Sequence, residues 1–180
     1  MMRILRLPLF LTALTLATAT LLSSTPASAG GLTLAAEAGP EVVLNDIRND
    51  DIDRWGFGAA GRVGYTLGIP LLAITPEAKL GFQSPGTPNA FSAQGGVRVN
   101  FSEGLSPAVF AHAGGLVGDL HGFVWDAGVG LDLTLLPLVD IGVFGAYYRV
   151  QKAGFADGRV DIDAPNWHWI QFGVQGALHL

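Results

Sequence analysis

The last stretch of the chain, Ile170 to Leu180, constrains the fold most. It reads IQFGVQGALHL, with Ile170, Phe172, Val174, Gly176, Leu178 and Leu180 on one parity and Gln171, Gly173, Gln175, Ala177 and His179 on the other. Alternate residues of a strand point to opposite faces, so this segment predicts a strand with one greasy face and one polar or small face. Such a strand leaves open edges unless it closes a sheet against the first strand. The expectation is therefore a closed barrel whose greasy face points outward, into lipid.

The beginning of the chain has a different character. Arg3 and Arg6 precede an apolar stretch from Leu7 to Leu22, and Ala27-Ser28-Ala29 supplies small residues at the spacing of a cleavage site. This pattern predicts an export signal over 1–29, removed to leave a single barrel domain over 30–180. Loss of the two leader arginines leaves eight basic against fifteen acidic residues, a net charge of −7. An acidic chain of this kind is not expected to bind nucleic acid, which demands a basic surface. There is no cysteine, hence no disulfide framework and no Cys/His zinc pattern. No cofactor is expected.

After Leu22 no apolar run reaches the 18 or so residues that a spanning helix requires. Closed β-barrels are the other way across a bilayer, because they satisfy every backbone group internally. Their pattern is a series of alternating segments of about ten residues separated by turns. Eight such segments are present: 31–39, 55–67, 71–82, 91–101, 107–117, 123–134, 138–150 and 170–180. In the second, Trp55, Phe57, Ala59, Gly61, Val63, Tyr65 and Leu67 oppose Gly56, Gly58, Ala60, Arg62, Gly64 and Thr66. In the third, Pro76 lies on the greasy parity and removes a ladder donor, which predicts a bulge or a local break. The fifth leaves its register open, since Val109, Ala111 and Ala113 oppose Phe110, His112 and Gly114. In the seventh, Phe144 falls on the polar parity.

Connections after the second, fourth and sixth segments are short. Those after the first, third, fifth and seventh are mostly longer, including the polar stretches 45–54 and 151–166. This alternation suits an outer-membrane barrel with tight periplasmic turns and longer outer loops. Trp55, Phe57, Phe82, Phe91, Trp125 and Tyr147 gather at the long-loop ends, as do Phe123, Tyr148, Trp167 and Trp169. Aromatic rings favour the membrane interface, so they read as an outer girdle. Trp167 and Trp169 carry the parity of the polar face, which predicts either a position above the bilayer or a bulge before Ile170.

Taken together, these segments resemble the small eight-stranded outer-membrane barrels of Gram-negative bacteria, the OmpA/OmpX/OmpW-like group. Thr75-Pro76-Glu77-Ala78-Lys79-Leu80-Gly81-Phe82 and Ala127-Gly128-Val129-Gly130-Leu131-Asp132 are similar to strands of that group. The final strand also resembles the signal read by the barrel-assembly machinery. Gln171, Gly173 and Leu178 fit it, and Leu180 takes the terminal place where an aromatic is usual. The resemblance implies an all-β, eight-stranded, antiparallel, up-and-down transmembrane barrel. It also implies an outer-membrane location reached by signal-peptide export, with outer-membrane lipid, including lipopolysaccharide, around it.

A soluble lipocalin-type barrel is the rival fold, with the greasy parity inside. An eight-stranded lumen has room for side chains only, and Trp, Phe, Leu and Val from every strand would overfill it. With the greasy parity outside, Glu37, Arg62, Glu77, Lys79, Arg98, Asp126, Asp132 and Asp140 all share the lumen. Unpaired buried charge costs several kcal/mol, so paired networks are expected, with Gln171, Gln175, His112 and His179 bridging or hydrated. One reading is a plugged, rigid barrel. The alternative is a narrow, cation-preferring pore set by the acidic excess.

Catalysis is not expected. Lipid-modifying barrels pair a serine with a nearby histidine, and no mature serine lies two residues from His112, His121, His168 or His179. Asp126 and Asp132 are six residues apart on one strand, roughly 20 Å, too far to share one substrate bond. The outer stretches 45–54 and 151–166 hold Asp46, Asp50, Asp51, Asp53, Asp157, Asp161 and Asp163. They are candidates for a divalent cation or an extracellular ligand.

Overall fold

Period-two alternation runs through eight segments, and each forms a strand in the computed structural model, which describes residues 30–45, 53–69, 72–101, 104–155 and 166–180. The strands are β1 (Gly31–Val43), β2 (Trp55–Ile69), β3 (Leu72–Ser84), β4 (Ala90–Phe101), β5 (Leu105–Gly118), β6 (Leu120–Leu136), β7 (Val139–Phe155) and β8 (Asn166–His179). Each pairs antiparallel with its sequence neighbours, and β8 returns to β1 to close the barrel. The closing seam runs from Thr33↔His179 to Val43↔Trp169, and the Leu180 N–H adds a bond to Leu32 O (2.8 Å). Closure leaves no sheet edge, as the alternation in the last strand demanded.

The greasy parity points outward on every strand. Leu80 is 68% exposed, Val174 64% and Val129 62%, while the alternating partners Lys79, Gln175 and Asp126 are buried. The greasy parity therefore does not fill the lumen, as the lipocalin-type reading required. The open register of β5 is also resolved. Val109 faces out, and Phe110 and His112 face in.

Two prolines shape the ladder. β1 continues through Pro40 to Val43, beyond the expected end at Gly39. Pro40 pairs with Phe57 on β2, but the β8 ladder lapses between Ala38↔Val174 and Glu41↔Gln171 and resumes in the same register. At Pro76 the β4 pairing to Val97 is kept, whereas the β2 ladder lapses between Gly64↔Glu77 and Leu67↔Ile74. A missing N–H interrupts one side of a strand and leaves the other intact. The result at Pro76 is a local break without a bulge. Register shifts do occur between β6 and β7, at His121/Phe123 and Thr134/Leu136.

Two connections depart from expectation. The loop expected over 118–122 shrinks to Asp119 between β5 and β6. Gly118 and Gly122 take φ of 140° and 148°, values that side-chain-bearing residues rarely adopt. Asp119 is tied to the neighbouring connection, its N–H donating to Asn89 O (2.8 Å) and its Oδ2 accepting from Asn89 N (3.2 Å). The stretch expected as loop over 151–166 is strand to Phe155 and again from Asn166. The expected leader over 1–29 and residues 46–52 and 156–165 of the expected outer stretches lie outside the described residues, as do Asp46, Asp50, Asp51, Asp157, Asp161 and Asp163.

Candidate functional site

The lumen brings together the charged residues that parity assigned to it. In its centre six side chains from five strands form a closed circuit. Arg62 Nε sits 3.1 Å from Glu37 Oε2, and Glu37 Oε1 lies 2.7 Å from Lys79 Nζ. Lys79 reaches Asp126 Oδ2 (3.4 Å), and Asp126 Oδ1 meets His112 Nδ1 (2.8 Å). His112 Nε2 then contacts Glu77 Oε1 (2.8 Å), which returns to Arg62 Nη1 (3.1 Å). All six are buried. A neutral imidazole carries one N–H and serves one of the two carboxylates; the doubly protonated ring donates to both. In that form three carboxylates meet three cations and the circuit is electroneutral.

Toward the short-turn end lies a second group. Arg98 donates to Asp132 Oδ2 and, through Nε, to Asn100 Oδ1 (3.1 Å). Gln175 joins the two groups: its Oε1 accepts from Arg62 Nη2 (3.2 Å) and its Nε2 donates to Asp132 Oδ1. At the mouth, Asp140 Oδ2 meets His179 Nε2 (2.8 Å), and His179 Nδ1 meets Thr33 Oγ1 (3.3 Å). The hydroxyls of Thr33, Thr66 and Thr75 continue the chain at 2.7 and 2.9 Å. Hydroxyl, imidazole and carboxylate stand in the order of a hydrolase triad. However, Thr33 is 8% exposed and its hydroxyl is held by Thr66. A search for serines near histidines passes over this threonine, which only the β1–β8 register places beside His179.

The long-loop half of the lumen is different in kind, and here the sequence reading needs correction. Trp167 and Trp169 are lumen residues rather than part of the outer girdle, and no bulge precedes Ile170. β8 begins at Asn166 in continuous register with β7, so both indoles keep the inward parity and are buried. Tyr148 is likewise inside, stacked on Trp169 with ring centroids 5.0 Å apart and planes 7° from parallel. Val43, Leu116, Leu120, Val124 and Val150 pack around them, with Phe110 and Phe144 in the same cluster. Phe144 is thus a lumen residue, not a misplaced one. Several inward positions toward this end of β2 to β5 are small, among them Gly58, Gly81, Ala90 and Gly114, while Gln83 and Leu116 are large and buried.

Two contacts join the apolar cap to the charges below. Lys79 Nζ bonds Tyr148 Oη at 2.7 Å. Glu41, fully buried, accepts from Trp169 Nε1 (3.1 Å) and from the Ser84 backbone N–H (3.1 Å). Among the described residues no group of three or more His, Cys, Asp or Glu is disposed to hold a metal ion.

On the outer face Trp55, Phe57 and Phe91 are exposed, and Phe82 and Phe91 pair at 5.4 Å. Trp125 and Tyr147 are half-buried against each other at 5.7 Å. In β8, Gln171 and Gly173 face the lumen, while Leu178 and Leu180 face out.

These features define a closed, eight-stranded, antiparallel up-and-down barrel with a polar and aromatic interior. Among solved structures the chain is similar to the crystal structure of Neisserial surface protein A (NspA). The match has a TM-score of 0.56 at 12% identity and covers 83% of this chain and 97% of that one. The likeness is one of fold. No protein-family model and no curated protein matches the chain.

Proposed function

We propose that the chain is an integral outer-membrane barrel with a structural or surface-interaction role and a plugged lumen. The carrying observation is the combination of a lipid-compatible exterior with an interior that holds a buried ion-pair circuit and a buried aromatic cluster. Outward Leu, Val, Ile and Phe surround the barrel, and a bilayer is the solvent in which such a face carries no penalty. Inside, the circuit around Lys79 and the stacked Tyr148–Trp169 cap occupy successive levels. Resemblance in fold to a neisserial surface protein supports this reading. Export by a cleaved leader over 1–29 and folding through the assembly machinery, with Gln171, Gly173, Leu178 and Leu180 as its signal, belong to the same proposal.

The narrow cation-preferring pore is the alternative, and its support is Glu41, a buried carboxylate served by neutral donors. Conductance of the purified chain in planar bilayers separates the two. The plugged reading expects no steady channels, and Arg62→Ala or Arg98→Ala changes nothing in a closed baseline beyond stability. Steady cation-selective steps that shift with either substitution establish the pore. A non-enzymatic role is part of the proposal. Expression is expected to leave lipid A and phospholipid masses unchanged, and a new mass that disappears in Thr33→Val would overturn it.

A further inference from the structure

Among strand residues whose side chains are described, every Asp, Glu, Lys and Arg faces the lumen except one. Glu37, Glu41, Arg62, Glu77, Lys79, Arg98, Asp126, Asp132 and Asp140 take the inward parity. Arg149 takes the outward one: its cross-strand partners are the outward Trp125 on β6 and His168 on β8. The guanidinium is oriented by a bond from Nε to Asn166 Oδ1 (3.2 Å). Around it the rings of Trp125 and Tyr147 lie 5.7 Å apart and those of Tyr147 and His168 6.1 Å apart. This patch of cation, imidazole, indole and phenol interrupts the apolar wall and holds its one outward charge among the described side chains, the exposed His121 and Gln151 being the neutral polar residues nearby.

Its height is informative. From Val139 to Arg149, and likewise from Leu178 to His168, the chain takes about ten steps. At about 3.3 Å each and a strand tilt near 40° these raise the side chain by about 25 Å. That is the height of the apolar band of an outer-membrane barrel, so the patch stands at the outer boundary. Indole and phenol suit that level. A lone arginine beside them meets the plane in which the headgroup phosphates of the outer leaflet lie. Its planar fork is well matched to phosphate oxygens.

We infer that Arg149, with His168 and the flanking Trp125 and Tyr147, binds the phosphorylated headgroup of an outer-leaflet lipid. This rests on the outer-membrane reading above. Arginine holds the phosphate, the imidazole adds a donor, and the two rings seat the adjoining sugar or acyl edge.

The test uses the full chain refolded into phosphatidylcholine vesicles. These carry either bisphosphorylated lipid A, its dephosphorylated form, or added inorganic phosphate. Retained lipid is counted by native mass spectrometry after detergent extraction. The bisphosphorylated lipid is expected to be retained and the dephosphorylated form not. Arg149→Gln weakens retention roughly tenfold, the size of one charge-assisted bond, and Arg149→Lys keeps part of it. Equal retention of both lipids, or an unaltered Arg149→Gln, overturns the inference, as does inorganic phosphate displacing the lipid. A chain that fails to insert overturns the membrane reading itself, so the two failures are distinguishable.

Discussion

His112 shows how much one residue's setting depends on its neighbours. It meets Glu77 and Asp126 at 2.8 Å on its two ring nitrogens, inside a circuit that Arg62 and Lys79 complete. Removing one partner of a buried ion pair strands the other and costs about 3–5 kcal/mol, whereas removing both is often far milder. Arg98→Leu and Asp132→Leu are each expected to lower resistance to urea by that order, and the double variant to recover much of the loss. Folded fraction on unheated gels across a urea series reads this directly, and additive losses would contradict it. Glycine supplies a second contrast. A Cβ on Gly173 would press on the backbone of Ala38 and Gly39, whereas one on Gly145 meets nothing within 4 Å. Gly173→Ala is expected to destabilise by more than about 1 kcal/mol, and Gly145→Ala to be neutral or mildly stabilising. The same urea series distinguishes them.

At the scale of elements, parity was the legible signal. It located all eight strands and assigned Glu37, Arg62, Glu77, Lys79, Arg98, Asp126, Asp132 and Asp140 to one interior. It also marked Trp167 and Trp169 as inward, but the affinity of indoles for membrane interfaces pointed the other way. What decides between them is non-local. Val43, which packs in the same cluster, and Glu41, which accepts from Trp169 Nε1, lie on β1 and are brought to β8 only by barrel closure. Strand ends were illegible for a related reason. Pro40 ends a strand read in isolation, yet it costs only the bonds on its β8 side. The outward face makes its own prediction. Val174 is 64% exposed near the middle of β8, where a cation would sit in hydrocarbon. Val174→Arg is expected to cost about 2–4 kcal/mol in a bilayer. Measured in vesicles and again in detergent, the penalty should shrink in the softer medium; an equal penalty would argue against lipid contact at this face.

For the whole molecule, the two halves of the lumen divide the work of holding one closed shape. The ion-pair circuit fixes the centre and the Trp169–Tyr148 stack fills the long-loop half, with Lys79 and Glu41 binding one to the other. A barrel so filled is expected to unfold as a unit and to resist detergent at room temperature. The central claim is that this barrel lives in the outer membrane with its greasy face in lipid. Fractionation of expressing cells, followed by gels of heated and unheated samples, tests it most directly. The account predicts a band in the outer-membrane fraction whose mobility changes on boiling. A soluble periplasmic protein with the same mobility before and after heating would contradict it.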